Sequence, residues 1–176
     1  MTTLLGISGS LRQASTNTKL MRHAATLFAP DHFIEGDLNF PLYNGDLEDA
    51  EGIPPAVQTL ADQISSADAI IIATPEYNKA LSGVLKNALD WVSRTKGNPW
   101  KDKPLAIMSA AAGRAGGERS QFSLRLAMMP FRTRILQGPE VLVADSGNAF
   151  DADDRLTGEL YEKLLTTLMA DLRAMI

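Results

Sequence analysis

The stretch from residue 67 to residue 74 constrains the fold of this chain most, because nearly all of its residues are apolar. A continuous apolar run of this length suits a central strand of a parallel sheet, which helices cover on both faces. Shorter runs predict further strands at residues 4–7, 33–38, 105–109 and 141–143. Between the runs, apolar residues repeat at helical spacing. This second pattern predicts helices at residues 20–28, 57–64, 81–92, 120–129 and 156–172.

Predicted strands and helices alternate along the whole chain. Such alternation predicts an α/β fold in which right-handed crossovers build one parallel sheet. We expect a flavodoxin-like, doubly wound sheet of five parallel strands with helices on both faces, in a single domain spanning residues 1–176. The acidic stretch at residues 39–55 is expected to be a long surface loop. Ligands of such folds bind beyond the carboxyl ends of the strands, so the loops at those ends are the candidate ligand-binding segments.

The loop after the first strand has the sequence Gly-Ile-Ser-Gly-Ser-Leu-Arg-Gln-Ala-Ser-Thr-Asn over residues 6–17. A helix begins in this loop, and the N-terminus of a helix offers unpaired N–H groups to an anion. Side-chain donors add to them, with the guanidinium of Arg12 suited to phosphate oxygens. The spacing matches neither a P-loop nor the dinucleotide fingerprint. The loop therefore predicts a phosphate site, and the alternative is a helix cap with a surface arginine.

The loop after the third strand contains Thr-Pro-Glu-Tyr-Asn at residues 74–78. Pro75 restricts the local backbone, Tyr77 offers a flat ring, and the amide of Asn78 can bond ring nitrogens and oxygens. This combination favours a planar heterocycle as the ligand. The alternative interpretation is an ordinary turn followed by a helix cap.

The loop after the fourth strand is rich in small residues. Its glycines, Gly113, Gly116 and Gly117, allow close approach of the backbone to a ligand or a positive φ. A flexible loop without function is the alternative. Taken together, the three loops describe a site at one edge of the sheet for a mononucleotide with a flat base, and FMN meets that description.

The chain also resembles the NAD(P)H-dependent FMN reductase family, which includes bacterial quinone and chromate reductases. The first motif is Gly9-Ser10-Leu11-Arg12 together with Ser15 and Asn17, and the second is Pro75-Glu76-Tyr77-Asn78. The resemblance continues through residues 82–91, 113–117 and 139–141, so it covers most of the chain.

The resemblance implies how FMN is bound and used. The phosphate would lie on Ser10, Arg12, Ser15 and Asn17. The isoalloxazine would lie against the loop of Pro75, Glu76, Tyr77 and Asn78, with Ser109 and Gly113 nearby. NADPH or NADH would deliver a hydride to flavin N5, and a quinone-like, azo, metal-ion or flavin acceptor would collect the electrons. Because the flavin carries this chemistry, no catalytic protein residue is expected.

Composition excludes several other classes of function. Cysteine is absent and the two histidines, His23 and His32, are far apart in the sequence, so we expect no nucleophile–base pair and no metal site. Both histidines are expected to be structural or exposed. The net charge of −4 argues against general binding to nucleic acid or to anionic membranes. With no long apolar segment and no amino-terminal signal pattern, a cytoplasmic protein is expected.

The resemblance further implies a homodimer or homotetramer in which a neighbouring subunit walls the flavin site. Leu42, Tyr43 and Asn44 are the candidates for that wall, and Trp91 and residues 128–131 are further apolar candidates for assembly. Two other functions remain open: a flavodoxin-like electron carrier without substrate turnover of its own, and a non-enzymatic nucleotide-sensing domain.

Overall fold

The computed structural model describes all 176 residues. Six strands and six helices follow one another along the chain. The strands are β1 (Thr3–Ser8), β2 (His32–Gly36), β3 (Ala69–Thr74), β4 (Pro104–Ala110), β5 (Arg134–Ile135) and β6 (Leu142–Val143). The helices are α1 (Thr16–Phe28), α2 (Gly45–Glu51), α3 (Pro55–Ser66), α4 (Gly83–Val92), α5 (Glu118–Met128) and α6 (Glu159–Arg173).

All strand pairings are parallel, and the strand order is β2-β1-β3-β4-β5. β6 also pairs with β4, beside Ser109 and Ala110, whereas β5 pairs beside Pro104 and Leu105. β5 and β6 are therefore two pieces of one edge position, and the predicted five-stranded, flavodoxin-like order is confirmed. Pro139, which lies between the two pieces, has no N–H for a sheet hydrogen bond.

Two apolar layers cover the two faces of the sheet. On one face, α1 and α6 pack against residues such as Ile71. On the other face, α3, α4 and α5 pack against Ile70 and Ile72. Every residue of β3 is buried, as expected for a central strand whose two faces are both covered. None of the helices is long and apolar enough to cross a membrane.

Three sequence predictions differ from the structure in detail. The stretch at residues 39–55 contains α2, which buries no residue and therefore has no apolar stripe to reveal it. α6 begins at Glu159, whereas the helical pattern was expected to begin at Leu156. The short strand β5 was missed because two residues are too few to show a period of two.

The two histidines lie away from the carboxyl edge of the sheet. His32 is exposed at the start of β2. His23, on α1, accepts a hydrogen bond at Nδ1 from the Leu156 N–H and lies 3.0 Å from a carboxylate oxygen of Glu162. These contacts confirm the expectation that the histidines are structural or exposed.

Candidate functional site

A cleft of about 490 Å³ opens at the carboxyl ends of β1, β3, β4 and β6. Its volume is in the range of ordinary small-molecule sites. Residues from four loops and from the first turn of α1 line it. They are Ser10, Arg12, Ala14, Ser15, Thr16, Asn17, Lys19, Pro75, Glu76, Tyr77, Ala110, Ala111, Ala112, Ser146 and Gly147. The structure thus brings the first and second predicted motifs together at one site.

The first loop offers a set of unused backbone donors. Ser15 caps α1 by accepting the Thr18 N–H at its hydroxyl, 3.3 Å away. The N–H groups of six residues donate to no acceptor of the protein: Ser10, Leu11, Gln13, Ala14, Thr16 and Asn17. The exposed guanidinium of Arg12 also forms no ion pair, so positive charge and free donors lie together at this end of the cleft. Such an arrangement binds an anion without a metal.

Gly9 packs the first loop against the second. Its N–H donates to the Ala73 carbonyl at 2.8 Å, and the Ser82 hydroxyl donates to the Gly9 carbonyl at 2.6 Å. A Cβ at Gly9 would lie 3.1 Å from Pro75 Cδ, which is too close for ordinary packing. The absence of a side chain at Gly9 therefore lets the two loops meet.

The second loop presents the ring of Tyr77 at the mouth of the cleft. Tyr77 and Ala80 exchange two backbone hydrogen bonds of 3.1 Å, and Asn78 and Lys79 between them have positive φ values. This tight turn leaves Tyr77 57% exposed and places Asn78 outside the cleft. Pro75 is buried behind the turn.

The carboxylate of Glu76 points to α5. Its Oε2 accepts the Arg119 N–H at 3.1 Å, in the first turn of that helix. The Arg119 guanidinium lies 3.8 Å from Oε1. No side chain of α5 itself caps this helix, so Glu76 supplies the missing acceptor from outside.

The third loop borders the cleft through Ala110, Ala111 and Ala112. Ser109 is completely buried, donating to the Gly116 carbonyl at 2.6 Å and accepting from the Gln121 amide at 2.9 Å. Its hydroxyl therefore supports the loop from behind and does not reach the cleft.

The glycines of the third loop also serve the protein's own packing. Gly116 and Gly117 have positive φ values of 57° and 89°. A Cβ on Gly116 would clash with the backbone of Leu142, so the close approach at this position is to β6. Gly113 is exposed and does not line the cleft, in contrast to its expected place beside the ligand.

Comparison with known proteins decides the family. The profile of the family described as NADPH-dependent FMN reductase matches residues 2–148. The chain belongs to this family. The resemblance noted in the sequence is thereby confirmed, and the chain is an NAD(P)H-dependent oxidoreductase with FMN as its cofactor.

Individual relatives agree with this assignment. The chain is 45% identical to an NAD(P)H-dependent FMN reductase of Pseudomonas aeruginosa over 164 residues, which are 92% of this chain and 88% of the relative. It is 36% identical to the quinone reductase of Escherichia coli K12 over 159 residues, which are 88% of this chain and 82% of the relative. Among solved structures, FerB, a flavoenzyme NAD(P)H:(acceptor) oxidoreductase from Paracoccus denitrificans, superposes with a TM-score of 0.87 at 32% identity. The superposition covers 99% of this chain and 96% of FerB.

The residues of the cleft fit the cofactor of the family. Unused N–H donors and Arg12 match a phosphate dianion, and the exposed ring of Tyr77 matches a planar heterocycle. Glu76, the acidic residue of the second motif, is engaged with Arg119. Its charge is thus compensated beside a site for an anion.

Sequence reasoning missed three residues that line the cleft. Lys19, one turn into α1, places a second cation there and forms an ion pair with Asp154. Ser146 and Gly147 come from a fourth loop, after β6. Their position directly after the last strand was the available signal, because parallel strands end at the same edge.

Proposed function

We propose that this protein reduces quinones and similar small acceptors with electrons from NADH or NADPH, using FMN held in the cleft described above. The observation that carries the proposal is the pairing of an anion-binding loop with an open aromatic platform across one cleft. The names of the relatives from Pseudomonas aeruginosa and Escherichia coli support it.

In this proposal the first loop binds the FMN phosphate. Arg12 contributes a guanidinium with two parallel donors, and the free N–H groups from Ser10 to Asn17 contribute neutral donors. Ser15 and Asn17 act through the backbone that they position, since the hydroxyl of Ser15 caps α1 and the amide of Asn17 bonds Ala110.

The second loop, with Pro75, Glu76 and Tyr77, positions the ring system. When bound, FMN supplies the capacity to accept a hydride from a nicotinamide and to pass electrons to a second substrate. The protein's part is to orient the ring and to leave one face open. Because Tyr77 is more than half exposed, small acceptors of many kinds can reach that side. Azo compounds, chromate and other metal ions, and free flavin therefore join quinones as candidate acceptors.

Steady-state kinetics test this function. Protein reconstituted with FMN should oxidise NADH or NADPH continuously when a soluble quinone is added, whereas the flavin-free protein should not. An electron carrier would bind FMN without such turnover. A nucleotide sensor would fail to take up FMN at all, and either result would overturn the proposal.

We also infer a homodimer or homotetramer, with the loop of Leu42, Tyr43 and Asn44 as the wall offered to a neighbour. Leu42 is 81% exposed, although Pro41 and Tyr43 on either side are fixed by hydrogen bonds to Trp91 and Asn87. Trp91 itself and Met128 lie in the core, so they are not candidates for assembly. Exposed apolar side chains on and after α5 are further candidates: Phe122, Leu126 and Met129.

Light scattering tests the assembly. The wild-type protein should elute as a dimer or tetramer, and Leu42→Asp should shift it toward smaller species. A monomer at working concentration would contradict the inference.

A cytoplasmic location is the last part of the proposal, because cytoplasmic metabolism supplies both nicotinamide donors. Cell fractionation tests it.

A further inference from the structure

The turn after β6 places one free hydroxyl on the cleft. Ser146 is only 6% exposed, yet its hydroxyl makes no hydrogen bond with any protein group. The same residue lines the cleft. The side chain is thus almost wholly packed in the protein, while its hydroxyl is left without a protein partner on the wall of the cleft.

The turn is held in place without help from that hydroxyl. The Ser146 N–H donates to the Ala111 carbonyl at 3.2 Å, and the Asn148 N–H donates to the Asp145 carbonyl at 2.9 Å. The side-chain amide of Asn148 also lies 3.2 Å from the Asp145 carboxylate. The backbone of the turn is thus fixed to the third loop, and the Ser146 side chain is left free for a ligand.

The neighbouring part of the cleft offers no other polar side chain. Ala110, Ala111 and Ala112 contribute only methyl groups and backbone on this side. The N–H groups of Ala112 and Gly147 donate to no protein acceptor. Ser146 is therefore the one side-chain donor on a wall whose other donors belong to the backbone.

We propose that Ser146, together with the Gly147 N–H, forms a fourth contact loop for FMN, with the Ser146 hydroxyl donating to an oxygen or nitrogen acceptor of the cofactor. The inference rests on the proposed function and adds a specific binding residue to it. FMN carries acceptors along its whole length, in the phosphate, the ribityl chain and the ring, which suits a donor placed on a side wall.

Titration of the flavin-free protein with FMN tests this role, with flavin fluorescence as the readout. Ser146→Ala should raise the dissociation constant about two- to tenfold, the effect of one neutral hydrogen bond. The melting temperature of the flavin-free variant should equal that of the wild type, because the hydroxyl has no protein partner. Ser65→Ala, which removes an exposed hydroxyl on α3 that also bonds no protein group, is the matched control and should change neither value.

The outcomes distinguish a failure of the role of Ser146 from a failure of the proposed function. An unchanged dissociation constant for Ser146→Ala, with tight binding by the wild type, overturns the role of Ser146 alone. A weaker affinity accompanied by a lower melting temperature of the flavin-free variant also overturns it, since the hydroxyl would then be structural. If the wild type does not bind FMN, the proposed function fails together with this inference.

Discussion

The side-chain amide of Asn17 makes two hydrogen bonds of 2.9 Å with the backbone of Ala110, one in each direction. Asn17 lies in the first turn of α1 and is 2% exposed, and Ala110 is the last residue of β4. The pair therefore joins the anion-binding loop to the opposite wall of the cleft, across two strand positions of the sheet. The width of the cleft depends on this connection.

Replacing Asn17 should affect both folding and binding. Asn17→Ala leaves the buried N–H and carbonyl of Ala110 without partners, so the free energy of unfolding should fall by about 1–3 kcal/mol. Asn17→Asp keeps an acceptor for the N–H but adds a negative charge beside the phosphate site, so it should weaken FMN binding more than the alanine variant does. Thermal melts and FMN titrations measure the two effects. Gln58→Ala, on the exposed side of α3, is the control and should change stability by less than about 0.5 kcal/mol.

Arg12 should discriminate FMN from riboflavin, which lacks the phosphate. Arg12→Ala should weaken FMN binding about 10- to 100-fold, because a charge-assisted contact is lost, while riboflavin binding stays nearly constant. The FMN affinity of Arg12→Lys should lie between those of the wild type and Arg12→Ala, since lysine keeps the charge but loses the planar fork. Arg134→Ala on β5 provides a control at the other end of the sheet. Equal losses for FMN and riboflavin would show that Arg12 does not contact the phosphate.

Glu76 should matter for structure and not for proton transfer. Glu76→Gln retains an oxygen that can accept the Arg119 N–H, so turnover and its pH profile should stay within about twofold of the wild type. If Glu76 were a general base, Glu76→Gln would instead lower the turnover rate by about 100-fold or more. Glu76→Ala removes the acceptor and should lower stability by about 1 kcal/mol, as the loss of a helix cap does. Steady-state rates across pH, compared with thermal melts, distinguish the two roles.

The loop of Leu42, Tyr43 and Asn44 should loosen in acid. Hydrogen bonding from Arg94 lowers the pKa of the Glu48 carboxyl, and the hydroxyl of Tyr43 donates to the same group. Since the folded pKa lies below the unfolded one, the stabilisation is present above the usual pKa of a glutamate and disappears as the pH falls through the folded pKa. Melting temperatures of the wild type and Arg94→Ala should thus differ at neutral pH and converge in acid. A difference independent of pH would contradict this account.

The sequence could predict the strands and helices that bury an apolar face. β3 is continuous in apolar residues because both of its faces are covered, and α4 shows a stripe because one face packs on the sheet. α2 escaped prediction because it buries nothing. The parallel sheet followed from the alternation of elements and the handedness of the crossovers, and the count of five strands suggested the flavodoxin-like order.

The candidate site was harder to predict in detail, because residue type does not reveal which polar groups the protein itself uses. Ser109 and Asn17 were natural candidates for ligand donors, yet the structure engages the first with Gly116 and Gln121 and the second with Ala110. Ser146 carries no motif. The one signal for its place in the cleft was its position after the predicted strand at residues 141–143, which the structure pairs with β4 as β6.

The central claim is that this chain binds FMN and reduces it with a nicotinamide donor. Its most direct test is the visible absorption spectrum of the purified, FMN-loaded protein before and after NADPH or NADH is added without oxygen. The account predicts that the bands of oxidised flavin disappear on addition of the donor and return when a quinone follows. A protein that retains no flavin, or whose bound flavin keeps its bands in the presence of both donors, would contradict it.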